Sequence, residues 1–456
     1  MQRNASAQGK ENVATLPILL LLFGGVFLGA LDIAIVGPAL PAIQTELMLD
    51  ARQNASIFSI YILFGLIGAP LLASLSDRHG RRRVYVACLV LFGIGSLIVA
   101  MSQSLPVLLI GRAVQAIGAG GTLPVASAVI ADTFPVKRRG RALGLIGAVF
   151  GMAFIIGPIV GAVFLQWSWR WLFLINLPLV FVLIGASLVL LEDRRSTEPA
   201  RFDLRGASLL ALGLASLAYG AAQLEYGLDR FLGIGGVSAA AFAIAACLLY
   251  LFWRAEHLAA TPIVAPGLLA SPQMRIIGVL GLATGLVEAS MVFLPTLAVS
   301  ALAVQPSRAS FMLLPLVGAL IAGSILAGRV LDRIGAKPVI QAGMAMTILG
   351  LLLFRFLPNG TANFYIAGIT VGFGLSSLLG APLRFAALEE GGEKGRGASQ
   401  GLLTVSLSIG RLFGASMTGG VAAAATVAVA GYRRAMLVIA IAGCLSLVAS
   451  FWLRKR

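Results

Sequence analysis

Residues 16–38, LPILLLLFGGVFLGALDIAIVGP, form an apolar run long enough to cross a lipid bilayer, and runs of that length recur to the end of the chain. A membrane-spanning helix needs about 20 mostly apolar residues. Fourteen segments meet that length: 16–38, 55–75, 84–102, 106–131, 141–165, 170–191, 206–224, 231–253, 275–302, 309–330, 337–357, 363–386, 398–425 and 435–453. The polar breaks between them are short. The seventh and eighth set the topology of everything beyond: if either failed to span, each later helix would invert. Of the 456 residues, 59% are hydrophobic and 11% charged, against about 25% charged in soluble chains. The expectation is an all-α integral membrane protein with fourteen transmembrane helices.

The charges test that count. With the N-terminus inside and the helices alternating, 23 of the 34 Lys and Arg residues fall on the inner side. They include the runs Arg81–Arg82–Arg83 and Lys137–Arg138–Arg139, the group Arg194, Arg195, Arg201 and Arg205, and the terminal Arg454–Lys455–Arg456. Seven fall outside, and Arg112, Arg329, Arg384 and Arg411 lie within helices. This bias follows the positive-inside rule and places both termini in the cytoplasm. The net charge of +16 therefore reads as a topology signal facing anionic lipid, with no nucleic-acid partner. The polar start, MQRNASAQGKENVATL, lacks the apolar core and cleavage site of a signal peptide, so the first run stays as a helix. Cys88, Cys247 and Cys444 lie far apart in apolar segments. They have no metal or disulfide spacing and read as small buried hydrophobes.

The chain repeats internally. ASLSDRHGRR at 73–82 and GRVLDRIGAK at 328–337 share a small residue, Asp-Arg, Gly and a base, 255 positions apart. GRALG at 140–144 resembles GASQG at 397–401, Pro124 matches Pro382, and GPIVG at 157–161 resembles GRLFG at 410–414. Two six-helix halves in one orientation, with two further helices between them, account for the offset. The expected organisation is a cytoplasmic N-terminus (1–15), a first half (16–191), a linker region with two extra helices (192–274) and a second half (275–456). Parallel halves around a midplane site are a transporter architecture.

Four stretches carry a family resemblance over nearly the whole chain. LDIAIVGPALP (31–41), ASLSDRHGRRR (73–83), LLIGRAVQAIGAGG (108–121) and GLIGAVFGMAFIIGPIVGA (144–162) come in order. They resemble, in turn, the first-helix, helix 2–3 loop, fourth-helix and fifth-helix signatures of the major facilitator superfamily, in its fourteen-helix drug:proton antiporter branch. Ala73 and Ala162 stand where glycine is usual, both small-for-small.

Each stretch also has its own physical reading. In the fifth segment Gly144, Gly147, Gly151, Gly157 and Gly161 set small residues on neighbouring turns, which lets helix backbones approach. Pro158 removes a backbone donor and favours a kink. Plain helix packing and a close, bendable contact in a protein that opens and closes are both compatible with this. In the loop Asp77, Arg78, Gly80, Arg81, bases alone would serve as a topology anchor. An acid contributes little to topology, yet Asp77 is there, and Asp332–Arg333 repeats it. The resemblance implies a cytoplasmic gate in which Asp77 pairs with Arg81 and Asp132 completes the network.

Ionisable groups inside a membrane are expensive. Asp32 lies in the outer half of the first helix. Arg112 lies about 10 Å into the fourth, at about 1.5 Å per residue, so the two share a depth. The resemblance gives this Arg a role in proton coupling. An Asp32–Arg112 pair then either couples protons, since its attraction depends on Asp32 ionisation, or is a static buried ion pair. Glu288 and Arg411 lie near the middle of the ninth and thirteenth segments, and a second pair there is plausible. Glu288 is a candidate for proton or substrate contact, Asp32 and Arg411 for substrate contact, and Arg411 alternatively for structure.

Enzymatic chemistry finds little support. His79 and His257 sit at helix ends, no metal site is apparent, and no glycine–lysine nucleotide loop appears, so no cofactor is expected. Uphill work then draws on an ion gradient, about 2.3 kcal/mol per charge per 100 mV. The expected function is proton-coupled export of small amphipathic or hydrophobic compounds, a multidrug-type antiporter acting as a monomer in the inner (plasma) membrane. The alternatives are a lipid or glycolipid exporter, an ion-independent facilitator, or a non-transporting receptor on the same fold.

Overall fold

Hydrocarbon offers no water to satisfy backbone N–H and C=O groups, so a spanning segment must close its hydrogen bonds within itself. The computed structural model describes residues 2–134, 149, 152–193, 203–223, 236–259, 267, 271–357 and 360–454. Among them every regular element is an α-helix. The first part of the chain gives α1 (Gln2–Glu46), α2 (Ala51–His79), α3 (Arg81–Met101), α4 (Leu105–Thr133), α5 (Met152–Phe164), α6 (Trp171–Leu174) and α7 (Asn176–Leu190). Then come α8 (Leu204–Ala222) and α9 (Gly236–Leu258). The rest holds α10 (Pro272–Met291), α11 (Leu294–Leu302), α12 (Pro306–Phe311), α13 (Leu314–Ile334), α14 (Ala336–Phe356), α15 (Thr361–Leu379), α16 (Ala381–Ala423) and α17 (Ala428–Ser450).

Eleven helices among the described residues are long and apolar enough to cross a membrane. Their outward faces match that setting: Phe181 is 73% exposed and Val189 83%. The same setting corrects the reading of the cysteines. Cys88 is buried, but Cys247 and Cys444 are exposed, because a helix in lipid has no need to turn its apolar side inward.

Proline divides two of the expected segments. The ninth is broken at Val292–Phe293, and α11 restarts with Pro295 in its first turn. The tenth is broken at Met312–Leu313, and α13 restarts with Pro315. Proline lacks the N–H that a first turn leaves unbonded anyway. Pro124, by contrast, is carried inside α4, while its repeat counterpart Pro382 opens α16 after Gly380. The stretch Ala381–Ala423 is not one straight rod. The Gln400 side chain donates to the Arg384 carbonyl at 2.8 Å, and 16 residues of straight helix would hold them about 24 Å apart.

Glycine marks the repeated loop. Gly80 links α2 to α3 at φ 103°, and Gly335 links α13 to α14 at φ 81°. Side chains other than glycine rarely take such angles, so the Asp-Arg-x-Gly repeat is also a repeat of backbone shape.

The chain packs into two compact units. One holds 1–35, 64–160 and 167–202; the other holds 36–63, 161–166 and 203–456. In the first, Gly157 of α5 lies against α1: a Cβ there would sit 2.5 Å from the Ala34 Cβ and 3.0 Å from its carbonyl carbon. In the second, α10 packs on α16, where a Cβ on Gly414 would lie 2.6 Å from the Leu286 oxygen.

Candidate functional site

The first unit holds a sealed polar centre. Asp32 on α1 and Arg112 on α4 are both 0% exposed, and Arg112 Nη1 donates to Asp32 Oδ2 at 2.6 Å. The same nitrogen donates to Gln115 Oε1 at 2.7 Å. Gln115 Nε2 in turn donates to Asp32 Oδ1 at 2.7 Å and to Ser96 Oγ on α3 at 2.8 Å. Asn176, at the start of α7, donates to Ser96 Oγ at 3.4 Å. The Phe173 ring closes one side, 5.8 Å from the Arg112 guanidinium carbon. Four helices thus hold one carboxylate, one guanidinium and one carboxamide in a closed ring. Such a ring is stable while it is complete.

At the end of α2 the loop residues gather round Arg81, which is 9% exposed. Arg81 pairs with Asp77 one turn back and donates to Asp132 Oδ2 on α4 at 2.9 Å. Its Nη1 also donates to Ser76 Oγ at 2.7 Å. Gly80 permits this by reversing the chain between the two helices. Arg78 is exposed at the same helix end. Beyond the loop, Arg83 Nε reaches Asp193 Oδ2 at 2.8 Å.

The repeat is not matched at its other copy. Asp332 and Arg333 are both exposed at the end of α13, and neither joins an ion pair among the described residues.

The second unit holds the other intramembrane pair. Arg411 Nε donates to Glu288 Oε2 at 2.9 Å, with side-chain exposures of 26% and 13%. Gly285 makes this meeting close, since a Cβ there would lie 3.0 Å from the Arg411 backbone nitrogen.

On α5, Gly157 and Pro158 are buried and the helix continues through the proline. Gly161 faces Pro38 and Ser310, each 2.7 Å from where its Cβ would be. Gly144, Gly147 and Gly151 lie outside the described residues.

The expected pairs Asp32–Arg112, Asp77–Arg81–Asp132 and Glu288–Arg411 are therefore all brought together. Sequence reasoning missed Gln115, Ser96, Asn176, Ser76 and Asp193. For Gln115 a signal existed: it stands three residues after Arg112, so the two share a helix face. Ser96 and Asn176 are ordinary residues in apolar helices, and only packing shows them to be partners.

Comparison with known proteins agrees with this architecture. Over 394 residues the chain is 34% identical to the uncharacterised MFS-type transporter YfiU of Bacillus subtilis, covering 85% of this chain and 76% of the relative. It is 30% identical to the multidrug transporter protein MdtP of B. subtilis, covering 91% and 76%. It is 29% identical to a triacylglyceride transporter of Mycolicibacterium hassiacum, covering 85% and 76%. Among solved structures, a variant of the nucleoside transporter NupG superposes with a TM-score of 0.69 at 15% identity, covering 96% of this chain and all of that one. The Major Facilitator Superfamily model matches residues 22–290, well over half of the chain. With its all-helical fold and its relatives among multidrug and triacylglyceride transporters, this multi-pass membrane chain belongs to the Major Facilitator Superfamily.

Proposed function

We propose that the protein is a proton-coupled exporter of small amphipathic or hydrophobic compounds, working by alternating access. The observation that carries this reading is the sealed Asp32–Arg112–Gln115 ring. A buried ion pair is weak grounds for stability alone, because desolvation offsets its attraction. A pair held inside the membrane is more readily understood as a group whose charge changes during the cycle. Asp32 holds Arg112 when ionised and releases it when protonated, which links a proton to a rearrangement of α1 against α4. Glu288 and Arg411 serve substrate or proton contact, and the Asp77–Arg81–Asp132 cluster serves as the cytoplasmic gate.

Fourteen spans complete the reading. Beyond the eleven described ones, residues 152–164, α8 and the part of α16 after about residue 398 supply the fifth, seventh and thirteenth. The two helices after residue 192 link halves at 16–191 and 275–456. The charge bias supports an inner-membrane orientation with both termini in the cytoplasm, and a monomer suffices for the cycle. Membership of the drug:proton antiporter branch rests on the four motifs and is in keeping with the MdtP likeness.

The test is proton movement in proteoliposomes holding the purified protein. A pH-sensitive dye trapped inside should report proton flux when a transported amphipathic dye is added, and only then. Transport of the dye with no accompanying proton flux would sink the reading and leave a facilitator.

A further inference from the structure

The first turn of α2 presents an arginine to another helix. Asp50 Oδ1 accepts from the Gln53 backbone N–H at 2.7 Å, and Gln53 Oε1 accepts from the Asp50 backbone N–H at 3.0 Å. This reciprocal capping box fixes the turn, and the turn carries Arg52. Arg52 is half-buried, and its Nη1 donates to Gln223 Oε1 at 2.6 Å. Gln223 closes the C-terminus of α8, and its own carbonyl accepts from Ser238 Oγ on α9 at 3.0 Å. Adjacent glycines of α16 meet both helices. A Cβ on Gly419 would fall on the Ala55 Cβ and 2.9 Å from the Ala51 oxygen, both in α2, and one on Gly420 would lie 2.8 Å from the oxygens of Ala221 and Ala222 in α8. One turn further along α2, the Ser59 and Ser416 hydroxyls are hydrogen-bonded at 3.0 Å. All these residues belong to the second unit, and Ala55, Ser59 and Ser416 are buried.

The partner of Arg52 is a neutral carboxamide. It offers one charge-assisted hydrogen bond without the counter-ion that would make the guanidinium hard to release. A contact of that kind biases a two-state closure and can still be given up. The opposite end of α2 carries Asp77 in the Arg81–Asp132 cluster. The helix has 29 residues, a length of about 44 Å, so it runs from one junction to the other. We propose that Arg52 and Gln223 form a clamp that holds this end of the protein shut, so that α8 is a working part of the gate opposite Asp77–Arg81–Asp132 and not only a link between halves. Opening this end requires Arg52 to leave Gln223, and the clamp sets the balance between closed and open states. This rests on the alternating-access reading and assigns it a pair of positioning residues.

The experiment is thiol labelling of the purified full-length protein in nanodiscs, where N-ethylmaleimide reaches both ends. Cys247→Ala and Cys444→Ala remove the exposed thiols. Ser59→Cys places a reporter in the junction, and the native Cys88, buried in the first unit, reports any general loosening of the fold. Mass spectrometry follows both positions. In this background position 59 should react slowly. Adding Arg52→Ala or Gln223→Leu should raise its rate at least about tenfold, equal to about 1.4 kcal/mol of closed-state bias, with Cys88 unchanged. Gln223→Glu keeps an acceptor for Arg52 and should stay within about twofold of the background. An unchanged rate at position 59 in either Arg52→Ala or Gln223→Leu overturns the proposal. So does a rise in Gln223→Glu as large as in Gln223→Leu, or a rise at Cys88 in step with position 59, which would make the contact plain packing. No gradient or substrate is used. Failure here leaves the exporter reading standing, and absence of proton flux in proteoliposomes leaves the clamp measurable.

Discussion

The Gln115 carboxamide donates to Oδ1 of Asp32 at 2.7 Å, on the oxygen that Arg112 Nη1 leaves open. Each carboxylate oxygen thus has its own donor, and Gln115 Oε1 returns to the same Arg112 nitrogen at 2.7 Å. Substituting Gln115 by Leu keeps the bulk and removes both ends of the bridge. Leaving a buried polar group without its partner costs about 1–3 kcal/mol. Gln115→Leu should insert normally, unfold at a lower temperature in detergent, and show a transport–pH profile shifted from that of the wild type. A profile and melting temperature matching the wild type would show that Asp32 and Arg112 act without the bridge.

The centre itself separates coupling from shape. Asp32→Asn keeps the size of the side chain and one acceptor oxygen for Arg112, but it cannot ionise. It should lose accumulation driven by a pH difference and keep downhill exchange. Arg112→Ala removes one member of a fully buried pair, a loss of about 3–5 kcal/mol. Combining it with Asp32→Asn should recover part of the folded yield while leaving transport uncoupled. If Asp32→Asn proteoliposomes still accumulate substrate under a pH difference alone, coupling belongs elsewhere, and Glu288 is the next residue to test.

Much of this was legible in the sequence because the bilayer leaves few choices. Runs of about 20 apolar residues have to be helices, and a charge inside one has to have a partner. That logic was enough to place Asp32 beside Arg112 and Glu288 beside Arg411. It could not reach Ser96 and Asn176, whose small polar side chains cost little in a helix and carry no periodic signal. The breaks at Val292–Phe293 and Met312–Leu313 were hidden for a related reason: hydropathy is blind to a turn that stays apolar, although Pro295 and Pro315 mark both restarts. The Asp-Arg-x-Gly repeat put Asp332 and Arg333 with the expected cytoplasmic gate. Backbone shape does repeat at Gly80 and Gly335, but the contacts that Arg81 makes with Ser76 and Asp132 have no counterpart at Asp332 or Arg333 among the described residues.

That asymmetry gives the third prediction. Asp77→Asn and Arg81→Ala each remove a contact of the network at the end of α2 and should lower the transport rate at least about tenfold with normal membrane insertion. Asp332→Asn and Arg333→Ala alter exposed groups, and surface charges of this kind are worth about 0–1 kcal/mol, so transport should stay within about twofold of the wild type. Initial rates of dye efflux from everted vesicles, normalised to protein amount, decide it. Wild-type rates in Asp77→Asn would reduce the loop to a topology anchor, and a large loss in Asp332→Asn would show that the second copy forms a network during the cycle.

The contact between α5 and α1 can be tested by moving one methyl group across it. At Gly157 a Cβ would stand 2.5 Å from the Ala34 Cβ and 3.0 Å from the Ala34 carbonyl carbon. No side-chain rotation relieves a clash with a Cβ or with backbone, so Gly157→Ala has to push the helices apart. Overpacking of this kind costs about 1–3 kcal/mol. Adding Ala34→Gly removes the nearest atom and leaves the carbonyl carbon at its tighter-than-usual distance, so the pair should recover a substantial part of the loss but not all of it. Gly157→Ala should therefore show a lower melting temperature and lower transport, and Gly157→Ala with Ala34→Gly should fall between it and the wild type. The effects of the two substitutions would be additive if the residues did not touch. A double variant no better than Gly157→Ala alone would mean that the methyl at 157 is resisted by something other than the Ala34 methyl.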